Sequence, residues 1–195
     1  MIRSIYLIRH GETEWSLSGQ HTGRTDIGLT ANGEAQARRL RPLLQGVDFA
    51  HVFTSPATRA RQTCLLAGLS DAAQVEPDLV EWDYGEYEGK RSADIRLTMP
   101  DWNVFRDGAP GGETCDQIAE RADHLIARLR RLNGNIALFS HGQFGPSLAA
   151  RWIGLPVVEA AHLYLDTASL SVLGTNPHHP EISIIRSWNI VPPNA

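Results

Sequence analysis

Two histidines in this chain each follow a short apolar run. His10 closes Ile5-Tyr6-Leu7-Ile8-Arg9, and His141 closes Ile136-Ala137-Leu138-Phe139-Ser140. Each run reads as a buried strand, and in open α/β sheets ligands bind at the carboxyl ends of the strands. A reacting phosphoryl group needs arginine or N–H donors on its oxygens, a nucleophile in line and a proton for the leaving oxygen. His10 fits the nucleophile, because neutral imidazole is abundant near pH 7. Arg9 is its neighbour. Arg59 sits one turn into a later helix, whose start adds positive potential. His141, as an imidazolium, would grip a phosphoryl oxygen. Glu81 lies beside Trp82 and Tyr84, where burial and nearby anions would raise its pKa and let it donate a proton, then take one from water. Taken singly, each residue has a plainer reading. A histidine can be a polar strand end, Arg59 a surface charge like Arg61, and Glu81 one acid among Glu86 and Glu88. Their joint occurrence points to phosphoryl transfer through a histidine.

The elements that must position these groups alternate between strand and helix. Residues 4–9 form a strand and 14–29 a long loop. Thr30 caps a helix over 31–45 with Ala35, Leu40, Leu43 and Leu44 broadly on one face. A strand at 51–54 precedes Ser55-Pro56, which reads as an N-cap followed by proline at the first helical position, with the helix running to Leu66. Val75 begins a third strand. Residues 77–113 are rich in glycine, aromatics and charge. They read as a flap with short helices near 92–98 and 101–106, of the kind that covers an active site. Thr114 and Gln117 form a capping box for a helix to Leu132, and Asn133-Gly134 stops it. A strand at 135–140, a helix from Pro146 to Ile153 and strands near 162–165, 169–174 and 181–186 follow. The alternation predicts an α/β chain, a three-layer α/β/α sandwich on a mostly parallel sheet, with 1–195 as a single domain.

The bulk numbers exclude other classes. With 18 Lys and Arg against 22 Asp and Glu, the net charge is −4. No long-range positive field favours nucleic acid, so an anionic substrate must be held by local charge. No run approaches the roughly 18 apolar residues of a membrane span. The segment around Ile5–Ile8 is too short for a leader. Cys64 and Cys115 show no metal-like spacing and read as reduced thiols. Among the eight histidines no pair has i, i+4 ligand spacing and no H-E-x-x-H occurs. The expectation is a cytoplasmic protein with no metal and no cofactor. The apolar strands of the 156–195 tail leave a homo-oligomer open.

Leu7-Ile8-Arg9-His10-Gly11-Glu12-Thr13 resembles the signature of the histidine phosphatase superfamily, the phosphoglycerate-mutase-like proteins. Gly19–Asp26, Thr54-Ser55-Pro56 with Arg59-Ala60 and Gln62-Thr63, Glu81–Gly85 with Glu88-Gly89, Gly112-Glu113-Thr114 and Ser140-His141-Gly142 extend the likeness over nearly the whole chain. The resemblance implies that His10 forms the phosphohistidine, that Arg9, Arg59 and His141 bind the transferred group, and that Glu81 donates the proton. It implies Ser16, Thr22, Gly23, Tyr84 and Gly142 as further substrate-binding positions. Cofactor-dependent phosphoglycerate mutases carry asparagine where Ser16 stands and an arginine pair where this chain reads Arg106-Asp107. An aspartate there should repel 3-phosphoglycerate. The flap is more similar to the sugar-bisphosphatase branch and to bacterial acid phosphatases. The expected activity is therefore hydrolysis of phosphate monoesters of small metabolites, such as sugar phosphates or bisphosphates. A phosphoglycerate mutase and a non-catalytic phospho-ligand binding module are the alternatives. For a second phosphate, Arg24, Lys90, Arg91, Arg106 and Arg151 are the candidates, Arg106 first among them because it lies in the flap beside aromatics.

Overall fold

The run 136–140 has no polar alternation, and all five of its residues are buried. That pattern suits a strand covered on both faces of a parallel sheet. The computed structural model describes residues 2–193. In chain order the elements are β1 (Ile2–Arg9), α1 (Glu14–Ser18), α2 (Ala31–Arg39), α3 (Arg41–Leu44), β2 (Phe49–Thr54), α4 (Thr58–Leu66), β3 (Ala73–Val75), α5 (Ser92–Arg96), α6 (Val104–Asp107), α7 (Cys115–Leu129), β4 (Gly134–Ser140), α8 (Phe144–Trp152), β5 (Leu170–Thr175) and β6 (Ser183–Ile190). The six strands form one sheet in the order β3-β2-β4-β1-β5-β6. The first four in that order pair in parallel, while β5 runs antiparallel to both β1 and β6.

Strand alternation divides the core in two. Ile5, Leu7, Ile136 and Leu138 face α7, α8 and the flap. Ile8, Ala137 and Phe139 face Leu40, Leu44, Ala60 and Cys64 from the α2–α4 side. This is an α/β fold with a six-stranded sheet flanked by helices, as the alternation predicts. α7 follows the helical period with Ile118, Ala122, Leu125, Ile126 and Leu129 buried. Each fully buried aliphatic side chain contributes roughly 1.5–3 kcal/mol. The Thr114–Gln117 capping box closes its first turn.

The register places the site. Arg9 pairs with Ser140, and Thr54 pairs with Phe139. The carboxyl ends of β1, β4 and β2 therefore reach one edge of the sheet together. His10, His141 and Ser55, the next residue in each chain segment, emerge side by side.

Several local expectations are corrected. The loop 14–29 opens with a helical turn, α1, capped by the Thr13 hydroxyl and by the Ser16 side chain in return. The helix over 31–45 breaks at Leu40 into α2 and α3, because Pro42 cannot donate to the carbonyl of Arg38. Ser55 does not cap α4. Its N–H still donates to Phe139 in the sheet, and the helix is capped at Ala57, two residues on. α8 starts at Phe144, with Pro146 in its first turn, where a missing N–H leaves no bond unmade. The strand expected at 162–165 is preceded by a 3-10 turn over Val157–His162 and is not formed. The flap is also better anchored than its composition suggests. Leu79, Trp82, Tyr84, Ile95, Trp102 and Val104 are buried in the same core as α7. No helix among the described residues is long and apolar enough to cross a membrane.

Candidate active site

At the sheet edge His10 and His141 lie with ring centroids 5.2 Å apart at 64°. The Nδ1 of His10 lies 2.7 Å from the carbonyl of Gly11. A carbonyl only accepts, so Nδ1 carries the proton and donates, leaving Nε2 with its lone pair. Burial first, then the Arg59 and Arg9 charges, push the imidazole pKa well below its usual value. Burial and the two arginine charges keep His10 neutral, outweighing the Gly11 hydrogen bond, which favours the protonated ring.

His141 is also neutral. Its Nδ1 accepts from Arg59 Nε at 3.2 Å, so its Nε2 carries the proton and donates to the Ser55 hydroxyl at 2.8 Å. Burial, then Arg59, then the neighbouring His10, Arg121 and Arg9, drive its pKa well down. The expected imidazolium is therefore absent from this arrangement. The physical reason is that His141 is buried, with three guanidinium groups and a second imidazole near it. Arg59 is fully buried. Besides His141 it donates to the carbonyls of Thr22, Gly23 and Thr25. Arg9 donates through Nη1 to Leu165, while its buried Nε has no protein partner. Gly142 crosses directly over that guanidinium, and a Cβ there would lie 3.0 Å from Arg9 Cζ.

Glu81 comes to the same place from the flap. Its Oε1 accepts from the N–H groups of Trp82 and Phe144, and its Oε2 accepts from Gln143. Two of these donors are at the start of α8, which favours a negative charge. Burial outweighs them and raises the carboxyl pKa. The expected direction holds, and its cause is burial, with the three N–H groups and Arg59 opposing it.

Of these groups Arg9, His10 and Glu81 line a cavity of about 190 Å³, together with Ser16, Gly19, Gln20, His21, Thr22, Tyr84, Ser92 and Gln143, whereas Arg59 and His141 are buried outside its lining. Ser16 is on the wall with its hydroxyl engaged in the α1 capping box. Thr22 is on the wall and its carbonyl orients Arg59. Gly23 has its N–H bound to the Glu88 carboxylate. Tyr84 stacks on His21 with centroids 4.5 Å apart, and burial raises its pKa well above the usual value, so it stays a neutral donor. Arg106 is not brought to this cavity. It is half exposed and forked onto Asp107. Arg24, Arg91 and Arg151 are likewise paired, with Asp83, Asp94 and Asp123. Lys90 lies over the Tyr87 ring. A larger cavity of about 500 Å³ between α4 and β3 contains none of these histidines or Glu81.

Several positioning residues were not legible in the sequence. Ser55 reads as a helix cap but holds His141. Thr63 accepts from the Gly11 N–H. Glu88 fixes the N–H groups of Gly23 and Thr25. Arg121 pairs with Glu113 at 2.8 Å, donates to the carbonyls of Asp78 and Val80, and covers the Phe144 ring. It ties the segment leading to Glu81 onto α7. Most of these contacts span tens of residues, and of the four Ser55, Thr63 and Glu88 fall within the motifs that carried the resemblance while Arg121 does not.

A neutral histidine, two guanidinium groups and a buried acid gathered at one end of an α/β sheet suit phosphoryl transfer. A family model described as the histidine phosphatase superfamily (branch 1) matches residues 5–189, and the chain belongs to that superfamily. It is similar to an acid phosphatase of Mycobacterium tuberculosis, 40% identical over 174 residues that make up 87% of this chain and 85% of that protein. It is 39% identical to the sedoheptulose 1,7-bisphosphatase of Saccharomyces cerevisiae over 184 residues, 77% of this chain and 68% of that one. A solved structure of an open reading frame from Mycobacterium tuberculosis has TM-score 0.92 and 35% identity, covering 98% of this chain and 99% of the other. The chain is a phosphatase of this superfamily.

Proposed function

We propose that this protein hydrolyses phosphate monoesters of small metabolites, sugar phosphates among them, in two steps at His10. In the first step Nε2 attacks phosphorus in line with the ester oxygen. The N–P bond forms as the P–O bond breaks, and the protonated Glu81 gives its proton to the leaving oxygen. In the second step Glu81, now a carboxylate, takes a proton from water as the water oxygen attacks phosphorus. The P–N bond breaks, phosphate leaves, and His10 and Glu81 return to their starting states. Arg9 and Arg59 neutralise the charge on the phosphoryl oxygens. His141 holds Arg59 through Nδ1. An arriving phosphate dianion would lower the cost of protonating His141 and let it join the oxygens' donors.

The observation that carries this reading is the tautomer of His10. Its Nδ1–H is committed to the Gly11 carbonyl, and its unprotonated Nε2 belongs to the ring that shares a cavity with Arg9 and Glu81. Phosphate release from alkyl and aryl monoesters tests it. His10→Ala should lose at least about 10³-fold in kcat. Glu81→Gln should slow alkyl phosphates by about 10²–10⁴-fold and activated aryl phosphates much less. Undiminished turnover by His10→Ala would refute the reading. Conversion of 3-phosphoglycerate to 2-phosphoglycerate faster than phosphate release, with a bisphosphorylated primer present, would make the enzyme a mutase. Tight phosphate binding without turnover by the unmodified protein would make it a binding module.

A further inference from the structure

A second cavity of about 170 Å³ adjoins the first on the flap side. It is lined by His21, Ser92, Arg96, Trp102, Asn103, Val104, Phe105, Gln143 and Ala161. His21, Ser92 and Gln143 line both cavities, so they form a partition common to two adjoining chambers. Together the chambers reach the lower end of the about 300–1,000 Å³ usual for small-molecule sites. The first alone is small for more than a phosphate and a few attached atoms.

The two chambers differ in what they offer. The first holds the reacting groups. In the second, Arg96 is the only side chain with a permanent charge. Arg96 has no carboxylate partner among the described residues, unlike Arg24, Arg91, Arg106 and Arg151. Its Nε donates to the Trp102 carbonyl at 3.2 Å. Arg96 is an exposed residue of the chamber's rim, and that bond leaves its Nη donors for another acceptor. Ser92 and Arg96 are four residues apart on α5 and so share a face. Along that face Arg96 lies about 6 Å beyond Ser92. The pKa of the His21 ring beside Ser92 is pushed down to about 4 by burial, with Glu88 opposing and Arg96 adding to the effect. The Arg96 charge is thus felt at the partition. His21 itself is neutral, and its Nε2 lies 3.1 Å from the Ser92 hydroxyl. Asn103 uses its Oδ1 on the Phe105 N–H, and its Nδ2 remains a donor. Trp102 and Phe105 supply apolar wall for a short carbon chain.

We infer that the flap chamber is a subsite for a second anionic group, carried by the substrate at the end away from the scissile phosphate and bound by Arg96. The inference rests on the phosphatase reading and adds the substrate class: short phosphate monoesters with a distal phosphate or carboxylate. Arg96, not Arg106, sets the preference for them. A bidentate guanidinium contact suits either anion.

Phosphate release is measured on two matched sets. Fructose 1,6-bisphosphate is compared with fructose 1-phosphate and fructose 6-phosphate, and 3-phosphoglycerate is compared with glycerol 3-phosphate. In Arg96→Gln the preference for a distal-anion compound over its matched partner should fall about 10–100-fold, mainly through KM. The set that responds names the anion. Arg96→Lys should recover part of the preference, which a merely structural role would not produce. Preferences unchanged within about two-fold in both sets would overturn the subsite, as would a loss in Arg106→Gln with none in Arg96→Gln. The same compounds titrated calorimetrically into His10→Ala, with and without Arg96→Gln, read the subsite without turnover. There a ten-fold or greater loss of affinity for a distal-anion compound supports it, and no loss overturns it. Failure of the phosphatase reading shows separately, as equal phosphate release by the unmodified protein and His10→Ala.

Discussion

His10 and Glu81 make opposite demands on pH. His10 must be neutral to attack, and its depressed pKa keeps it neutral into the acid range. Glu81 must be protonated to release a poor leaving group, and its raised pKa keeps the proton above the ordinary carboxyl range. The rate follows the product of the two fractions. Activity on alkyl phosphates should therefore be highest on the acid side of neutrality. It should fall as pH drops through the lowered His10 value and as pH rises through the raised Glu81 value. A pH–rate profile of kcat/KM checks this, with Glu81→Gln as the internal reference because the substrate's own titration is common to both. The alkaline limb beyond that titration should vanish in the variant. If it survives, Glu81 is not the acid. The residue types were legible at these positions because strand ends and helix starts are local features. The protonation states were not. That of His141 depends on Arg59, which stands 82 residues away.

The element that sets Arg59 is the loop following α1. Its carbonyls at Thr22, Gly23 and Thr25 receive the guanidinium, and Glu88 in the flap holds the loop by the N–H groups of Gly23 and Thr25. Gly23 is required here, since a Cβ would fall 2.5 Å from the Trp82 carbonyl. Glu88→Ala should cost about 1–3 kcal/mol by leaving two partly buried N–H groups unpaired. Misplacing Arg59 by about an ångström would lower kcat/KM by up to about 10²-fold. Urea melts and steady-state kinetics measure the two effects. An unchanged kcat/KM would show that the loop does not depend on Glu88. The sequence presents 14–29 as one loop, and α1 is missed because a five-residue helix carries no periodicity to read. It is recognisable only by the reciprocal Thr13–Ser16 cap.

For the whole molecule, the site has a stability consequence. His10 and His141 are buried and neutral when folded, but titrate near 6.5 in an unfolded chain. Below that pH the unfolded state binds protons that the folded state does not. Stability should thus fall as pH falls from about 6.5 toward the depressed folded values. Unfolding free energies at pH 7.5 and 5.5 should differ in that direction. His10→Asn, which keeps a donor near the Gly11 carbonyl, should flatten the slope. An equal slope in the variant would remove His10 from the account. The flap belongs to the same core as α7 through Trp82, Tyr84 and Trp102, so melting of the flap and of the sheet should coincide.

The sequence by itself determined the alternation of elements, the strand ends at residues 9 and 140, the capped start of α7 and the residue types that phosphoryl transfer requires. These signals are read over a few neighbouring residues through hydrophobic period and capping chemistry. Tertiary structure alone decided which backbone N–H groups meet Glu81, which nitrogen of each histidine bears the proton, and which arginines are neutralised by a carboxylate. Arg106 and Arg96 are equally basic in the sequence. One is forked onto Asp107 and the other faces a chamber, because charge pairing and side-chain direction follow from contacts between distant segments.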